Sequence, residues 1–329
     1  MIRLAIASLS LASAVACGRA QGVSDQELGG LVVDTKVPDK PIDLDAAAKD
    51  PAELGRALAR PYSVMVAGLP PHALLITSKT KVEEGGKVTD DLGESSSIAL
   101  GSSGAFKGEY TNTADYGREV IFTAGKLYLR PRYQRWHGRA PETADEPVVL
   151  RDSFAAPIAA TWELFAPGAE LTDLGAATVA GRAARKIAIK LSPTPAKNPA
   201  ETVTQKKWRE ARTIEELSGE VMLDAEKGVP LTVQLTGSVG FMRDGRRFKM
   251  RVQLSSTISA VGSAATISAP PEGEVVATPE RLREVDDRDY LLQGIAPPIR
   301  RTNDSSGVVP APPAPAPAPA PAPAKKDGK

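Results

Sequence analysis

The sequence predicts a mainly β protein, in which a large curved antiparallel sheet of about ten or eleven strands forms a half-barrel with a few covering helices. Three observations predict it. Apolar and polar residues alternate in many runs after His72, the runs are bounded by Gly, Pro, Asp or Asn, and only brief helical patterns interrupt them. A flat sheet of this size would be unusual, so we expect strong curvature or partial closure.

The chain begins with a predicted secretory signal peptide, residues 1–16, in which Arg3 precedes an apolar run from Leu4 to Ala16. Such a run reaches about 20 Å as a helix, whereas a bilayer core measures about 30 Å, so it is a signal and not an anchor. The segment Ala14-Val15-Ala16-Cys17 resembles the lipobox of bacterial lipoproteins. It also fits an ordinary signal-peptidase site, which leaves that cleavage open.

Cys17 is the predicted lipidation site, and its acyl chains are the predicted link to a membrane. It is the only cysteine, so an exported chain cannot form an internal disulfide, and lipidation explains a thiol that would otherwise be unpaired. Residues 17–49 are predicted to be the lipidated N-terminus and a tether, because they are polar and show little periodicity.

The half-barrel domain is predicted over residues 50–275. It opens with a short amphipathic helix, because Asp50-Pro51-Ala52-Glu53 forms a capping pattern ahead of Leu54, Ala57 and Leu58. The clearest strand is 246–258, where apolar residues alternate with polar ones. The strands are predicted near 72–82, 95–100, 105–112, 117–123, 126–130, 175–180, 184–191, 219–224, 230–239, 246–258 and 263–268.

Two segments interrupt the strands. In Asp152 to Phe165 the apolar residues fall near helical spacing, and we expect this helix to cover the apolar face of the sheet, with Pro157 kinking it or delaying its start. The charged segment from Asn198 to Leu217 begins with a capping pattern and is either a helical flap or a long polar insertion.

The C-terminal part is predicted to contain a helix over 276–295, ended by Gly294, and a disordered tail over 296–329. The tail alternates Ala and Pro from Pro310 to Ala324, a composition that forms an extended spacer of roughly 45 Å. The tail is a predicted contact to the cell wall or an envelope protein, and its basic tip either meets an anionic cell-wall or lipid group or stays solvated.

Composition and motifs argue against several classes of function. Without Arg3 the basic and acidic residues balance, so nothing indicates a nucleic-acid partner. His72 and His137 are the only histidines, and with one cysteine they make no metal-ligand pattern. No nucleophile elbow or phosphate-binding loop occurs. The sequence therefore predicts a non-enzymatic protein without catalytic residues, cofactor or metal.

One segment mixes basic and aromatic residues, as sites for nucleic acid, anionic lipid headgroups or sugars do, and predicted export makes nucleic acid the weakest of the three. Tyr133, Trp136 and His137 lie among its four arginines. The alternative is a charged turn after a strand, with the arginines paired to Glu142, Asp145 or Glu146. The headgroup candidates are Arg130, Arg132, Arg135 and Arg139.

Three further segments carry a family resemblance. They are Asp173 to Leu191 with its turn at 179–182, the strand and turn from Gly219 to Pro230, and Pro270-Pro271-Glu272-Gly273. Together with the lipobox they resemble the half-barrel lipoprotein and lipid-carrier superfamily that includes LolA, LolB and the LppX group, over roughly residues 50–275. The polar insertion, the Ala-Pro tail and the C-terminal helix depart from the sorting proteins of that superfamily.

The resemblance implies an apolar cavity that accepts acyl chains, and hence an envelope lipoprotein that binds or passes an acylated ligand. The alternative is a structural or interaction lipoprotein with a closed core. Gly18 and Arg19 after the cysteine favour the outer membrane over the inner one. The cavity candidates are Phe106, Tyr110, Phe122, Ile187, Ile189, Leu231, Val233, Phe248, Met250 and Val252.

Overall fold

A computed structural model describes residues 40–201 and 204–277. Twelve strands form one open sheet, in the order β12-β6-β5-β4-β3-β2-β1-β11-β10-β9-β8-β7. The predicted signal peptide, Cys17, the C-terminal helix beyond residue 277 and the tail lie outside the described residues. None of the helices in the described ranges has the length and apolar character needed to cross a bilayer.

The strands fall into two meanders. The bounds are β1 Ala73–Glu84, β2 Lys87–Leu100, β3 Phe106–Asn112, β4 Gly117–Thr123, β5 Lys126–Pro131, β6 Trp136–Arg139, β7 Ala169–Val179, β8 Arg182–Leu191, β9 Thr213–Asp224, β10 Pro230–Arg243, β11 Arg246–Ser259 and β12 Val275–Ala277. The helices are α1 Leu44–Ala47, α2 Pro51–Leu58, α3 Tyr62–Gly68, α4 Glu146–Asp152 and α5 Ala156–Phe165.

The pairing of β1 with β11 joins the two meanders into a single sheet. All neighbouring strands run antiparallel except β12, which lies parallel to β6. The predicted fold class is confirmed, because the chain is mainly β and its large sheet stays unclosed between β12 and β7. Several strands begin earlier than predicted, because backbone pairing continues through polar residues whose side chains do not alternate in hydropathy.

Two details after β11 differ from the predictions. The prediction of a strand at 263–268 is wrong, because this segment runs past the start of β1 and the end of β2 without forming a strand. There Gly262 N–H donates to Pro71 O, and Ala265 N–H donates to Leu100 O. The first residues of the helix predicted over 276–295 belong instead to strand β12, which pairs with β6.

The helices at the start of the domain follow the local sequence signals. Asp50 caps α2 by accepting from Ala52 N–H, and Pro51 occupies the first turn, as predicted. The short helix α1 lies within the predicted tether, yet Ala47 and Ala48 are fully buried in the core. Helix α3 was not predicted, because its seven residues are too few to show a helical period.

The inner face of the sheet, defined here as the face on which the helices pack, is covered mainly by α4 and α5. The helix predicted from Asp152 to Phe165 is α5, which begins only at Ala156, after a turn that follows α4. Pro157 lies in the first turn of α5, so it delays the start of the helix and does not kink it. Helix α5 crosses β10, β11 and β1, while α4 lies over β4.

Three glycines allow aromatic side chains of the covering segment to approach closely. A β-carbon at Gly108 on β3 would lie 2.5 Å from the Phe154 ring, and one at Gly237 on β10 would lie 2.6 Å from Phe165. A β-carbon at Gly55 on α2 would lie 2.7 Å from Nε1 of Trp162. The aromatic rings are buried, so the covering segment packs directly on backbone.

A buried polar pair anchors the start of β1. His72 Nδ1–H donates to Pro70 O over 2.8 Å, and the hydroxyl of Tyr62 donates to Nε2 over 2.8 Å, which requires the neutral imidazole. Burial lowers the pKa of His72 and raises the pKa of Tyr62 well above its usual range. The folded state therefore disfavours protonation of His72.

Replacing Gly108 with Ala is expected to lower the free energy of unfolding by about 1–3 kcal/mol, because the new methyl group overlaps the buried Phe154 ring. Urea denaturation measures the change. Gly273→Ala is the matched control, since a β-carbon there meets nothing within 4 Å. Equal stability of the two variants would show that the ring moves aside without cost.

The free energy of unfolding is expected to fall as the pH drops below about 6.5, because the unfolded chain binds a proton at His72 before the folded chain does. His72→Gln should flatten this slope between about pH 7 and pH 5, as measured by urea denaturation across that range. His137→Gln is the control for loss of a histidine elsewhere. A slope that persists in His72→Gln would contradict the assignment.

Candidate functional site

The inner face collects all ten predicted cavity residues. Strand register shows this, because directly paired residues share a face: Phe106 pairs with Phe122, and Val82 pairs with Met250. Six of the ten are buried in the single core cluster, and four are half-buried. The buried six are Phe106, Ile187, Ile189, Leu231, Val233 and Val252; the half-buried four are Tyr110, Phe122, Phe248 and Met250.

Helix α5 explains this difference on β10 and β11, which it crosses. Ile158, Trp162 and Phe165 of that helix are buried among the strands, and they fill the space over the central rows of the inner face. At these rows the face is a packed core and not a cavity.

Beyond the end of α5, the inner face continues as the open end, which we define as the half-buried apolar residues of β1, β2, β10 and β11 that the helices leave uncovered. Val82 pairs with Met250, and Phe248 pairs with Phe241. The rings of Phe241 and Phe248 stack with centroids 5.6 Å apart. The open end consists of Val82, Leu92, Phe241, Phe248 and Met250.

The polar insertion between β8 and β9 borders the open end. Its 3₁₀ turn, Thr204–Arg209, brings Trp208 onto Phe241, with ring centroids 4.5 Å apart. The insertion predicted as a flap or polar segment therefore ends at residue 212, because β9 already begins at Thr213. Its aromatic residue extends the apolar surface of the sheet.

Arg212 fastens this insertion to helix α5. It is 3% exposed, and its guanidinium donates to the carbonyls of Leu164 (2.9 Å), Glu163 (3.2 Å) and Arg209 (2.5 Å). Carbonyls at a helix C-terminus lack partners within the helix and attract cations, so this contact satisfies both groups. Burial lowers the pKa of Arg212.

A polar band crosses the inner face at the boundary of the open end. The Tyr110 hydroxyl donates to Oε1 of Glu94 over 2.5 Å, and the Ser78 hydroxyl donates to Oε2 over 3.0 Å. Burial, and then the bond to Glu94, raise the pKa of Tyr110 well above its usual range. Arg118 pairs with Tyr110 across β3 and β4, so its side chain lies on the same face.

The four arginines predicted as headgroup ligands do not form one cluster. Three of them have partners: Arg130 contacts Glu119 and lies over the Trp136 ring, Arg132 contacts Asp115, and Arg139 binds Glu146. The last contact is one of the pairings that the alternative interpretation expected. The segment offered as a charged turn contains strand β6, Trp136–Arg139, which pairs with β5.

Two functional candidates, Arg118 and Trp208, were missed by the sequence analysis. Arg118 had a signal: it stands in phase with Val120 and Phe122, where period two places an apolar residue. Trp208 had none, because no periodicity connects the insertion to a strand.

A separate hollow of about 490 Å³ lies at the opposite end of the strands, between the turns that join β2 to β3 and β4 to β5. Phe122, Thr123, Ala265 and Ile267 line it. Among the residues that the structure describes, no three His, Cys, Asp or Glu side chains group as metal ligands do.

No family model and no curated protein matches this chain. Among solved structures, it is similar to the lipoprotein LppX of Mycobacterium tuberculosis at 14% identity, covering 67% of this chain and all of that one, with a TM-score of 0.28. LprF of Mycobacterium bovis matches at 12% identity, 68% and 99% coverage and a TM-score of 0.25. A LolA superfamily protein of Nitrosomonas europaea matches at 6% identity, 65% and 96% coverage and a TM-score of 0.18.

The solved structures that match include members of the LolA and LppX group that the sequence resembles.

Replacing Arg212 with Met is expected to release the insertion, because three carbonyls lose their donor at a cost of about 1.5–3 kcal/mol for bonds to a charged group. Acrylamide quenching of tryptophan fluorescence should increase, since Trp136 and Trp162 are buried and only Trp208 can become more exposed. Lys207→Met is the control. Unchanged quenching in Arg212→Met would show that Trp208 keeps its place without this contact.

Proposed function

We propose that this chain is a non-enzymatic envelope lipoprotein that binds or passes an acylated ligand, with the acyl chain lying on the open end of the inner face. One observation carries the proposal: Val82, Phe248, Met250 and Phe241 form an apolar surface that continues the core and stays half-exposed. Contiguous exposed apolar surface of this kind marks binding sites on soluble domains.

The energetics suit an acyl chain. Each buried methylene contributes about 0.8 kcal/mol, so a long chain binds through contact alone, without bond chemistry or a metal. Trp208 and the stacked rings of Phe241 and Phe248 offer flat apolar surfaces on one side of the open end. Of the ten residues first proposed as cavity lining, Phe248 and Met250 belong to this surface.

The remaining features belong to the same proposal. Acyl chains on Cys17 hold the protein at the outer membrane, the residues before α1 act as a tether, and the Ala-Pro tail reaches the cell wall or an envelope protein. Of the arginines of the basic segment, Arg135 is exposed and makes no ion pair with the described residues, so it is the one best placed to contact a membrane headgroup.

A structural or protein-interaction lipoprotein with a closed core is the second candidate. It is favoured by the burial of six of the ten predicted cavity residues in the packed core. The two candidates differ in what the open end does, because a purely structural protein needs no ligand there.

Native mass spectrometry and lipid extraction, on a Cys17→Ser chain exported and purified without detergent, test the proposal. We expect adducts of defined lipid mass that are lost in Met250→Arg, because a charge in the open end opposes burial of an acyl chain. Leu75→Arg is the matched control, since Leu75 is 49% exposed and points to the outer face.

Adducts that persist in Met250→Arg would place the ligand elsewhere. A clean mass in the unsubstituted protein across several preparations would favour the structural candidate.

A further inference from the structure

Arg118 lies on the inner face of the sheet and differs from Arg139 on the same face, because Arg139 binds Glu146 whereas no carboxylate among the described residues contacts Arg118. Arg118 is half-buried and stands in phase with the buried Val120. The arginines of β5 and β11 that alternate with apolar residues, such as Arg130 and Arg251, lie on the outer face, where each contacts a carboxylate. A cation at an apolar-face position is costly to bury and therefore calls for a function or a partner.

The described residues give Arg118 no anionic partner. Its Nη2 donates to Ser153 Oγ over 2.8 Å, and its Cζ lies 4.6 Å from the centroid of the Phe154 ring. The Ser153 hydroxyl donates onward to Leu150 O, so the serine compensates none of the positive charge. Burial lowers the pKa of Arg118, which agrees with a cation that lacks a carboxylate neighbour.

The nearest acid in the polar band is already occupied. Both oxygens of Glu94 accept hydroxyl protons, one from Tyr110 and one from Ser78. Tyr110 pairs with Arg118 in the sheet, yet its hydroxyl is used by Glu94. Within the described chain, Nε and Nη1 of Arg118 make no hydrogen bond, and neither nitrogen is sealed from solvent. A guanidinium with free donors is suited to a planar or tetrahedral anion.

The position of Arg118 relates it to the open end. Arg118 pairs with Tyr110 on β3, and Tyr110 pairs with Ser96 on β2. Leu92 lies four residues before Ser96 on the same face of β2, so the distance from Arg118 to Leu92 is roughly 16 Å on a flat sheet and less on a curved one. Across the sheet, Leu92 pairs with Thr80, and Thr80 pairs with Val252. Val82 pairs with Met250 two residues further along β1. A long acyl chain can therefore reach the apolar rows while its headgroup stays beside Arg118.

We propose that Arg118 is the headgroup-binding residue of the inner face, and that the ligand is an anionic amphiphile whose carboxylate or phosphate pairs with its guanidinium. This inference rests on the proposed function, because it assigns the polar end of the ligand whose chain occupies the open end. For the headgroup of the bound ligand, it replaces the dispersed arginines of the basic segment by a single cation on the same face as the apolar surface, and Arg135 keeps its proposed contact with the membrane.

The test measures dissociation constants by titration calorimetry at one ionic strength, on the Cys17→Ser chain freed of lipid. The probes are dodecanoate, dodecyl phosphate, dodecanol and inorganic phosphate. We expect an anionic amphiphile to bind at least about ten-fold more tightly than dodecanol, as one charge-assisted contact implies. Arg118→Met should abolish this preference and leave dodecanol binding unchanged, whereas Arg118→Lys should retain part of it.

Arg132→Met is the matched control, because Arg132 contacts Asp115 instead of facing the inner surface unpaired. A preference for dodecanoate or for dodecyl phosphate supports the proposal in either case and tells which headgroup is recognised. Inorganic phosphate that binds as tightly as dodecyl phosphate would overturn it in favour of a free-anion site.

Two further outcomes separate this inference from the function on which it rests. If dodecanol binds and Arg118→Met keeps the full preference for anions, or the unsubstituted protein has none, the role of Arg118 is refuted while the acyl site stands. If no amphiphile binds the unsubstituted protein, the proposed function itself fails. Circular dichroism of Arg118→Met and Arg118→Lys confirms that loss of binding is not loss of fold.

Discussion

Burial of the inner face by the segment from Phe154 to Phe165 is the constraint on which the rest of this structure depends. An open sheet of twelve strands cannot bury one face by closing on itself, so another element must cover it. The aromatic rings of the segment reach the backbone at Gly108 and Gly237, where a side chain would keep them away. Sheet and helices thereby share one continuous core.

The length of α5 then decides where the core ends. The helix has ten residues, about 15 Å, whereas β10 and β11 each have fourteen and are about three times as long. The strands therefore extend past their cover, and apolar residues such as Met250 and Phe248 stay half-exposed. A polar band with Glu94 and Arg118 lies at this boundary, so the apolar open end has polar and charged side chains along one side.

The polar insertion before β9 contributes a side chain to the apolar surface of the sheet. The insertion is polar and shows no hydrophobic periodicity that would order it alone. Arg212 holds it by hydrogen bonds to the carbonyls at the end of α5. This contact places Trp208 against Phe241 and so adds an aromatic ring to the border of the open end. The same helix thus defines both the closed core and the edge of the candidate site.

The sequence by itself determined the periodic features: the alternating strands, the capped helix at Asp50 and the aromatic segment that covers the sheet, because each follows from contacts between residues close in the chain. Alternation also placed the ten candidate residues on one face. Only the tertiary structure decided which of them are covered and that β12 pairs parallel with β6. It also decided that Arg139 binds Glu146, whereas Arg118 has no carboxylate partner within residues 40–201 and 204–277. These outcomes depend on contacts between elements that are far apart in the sequence, and local sequence patterns do not specify such contacts.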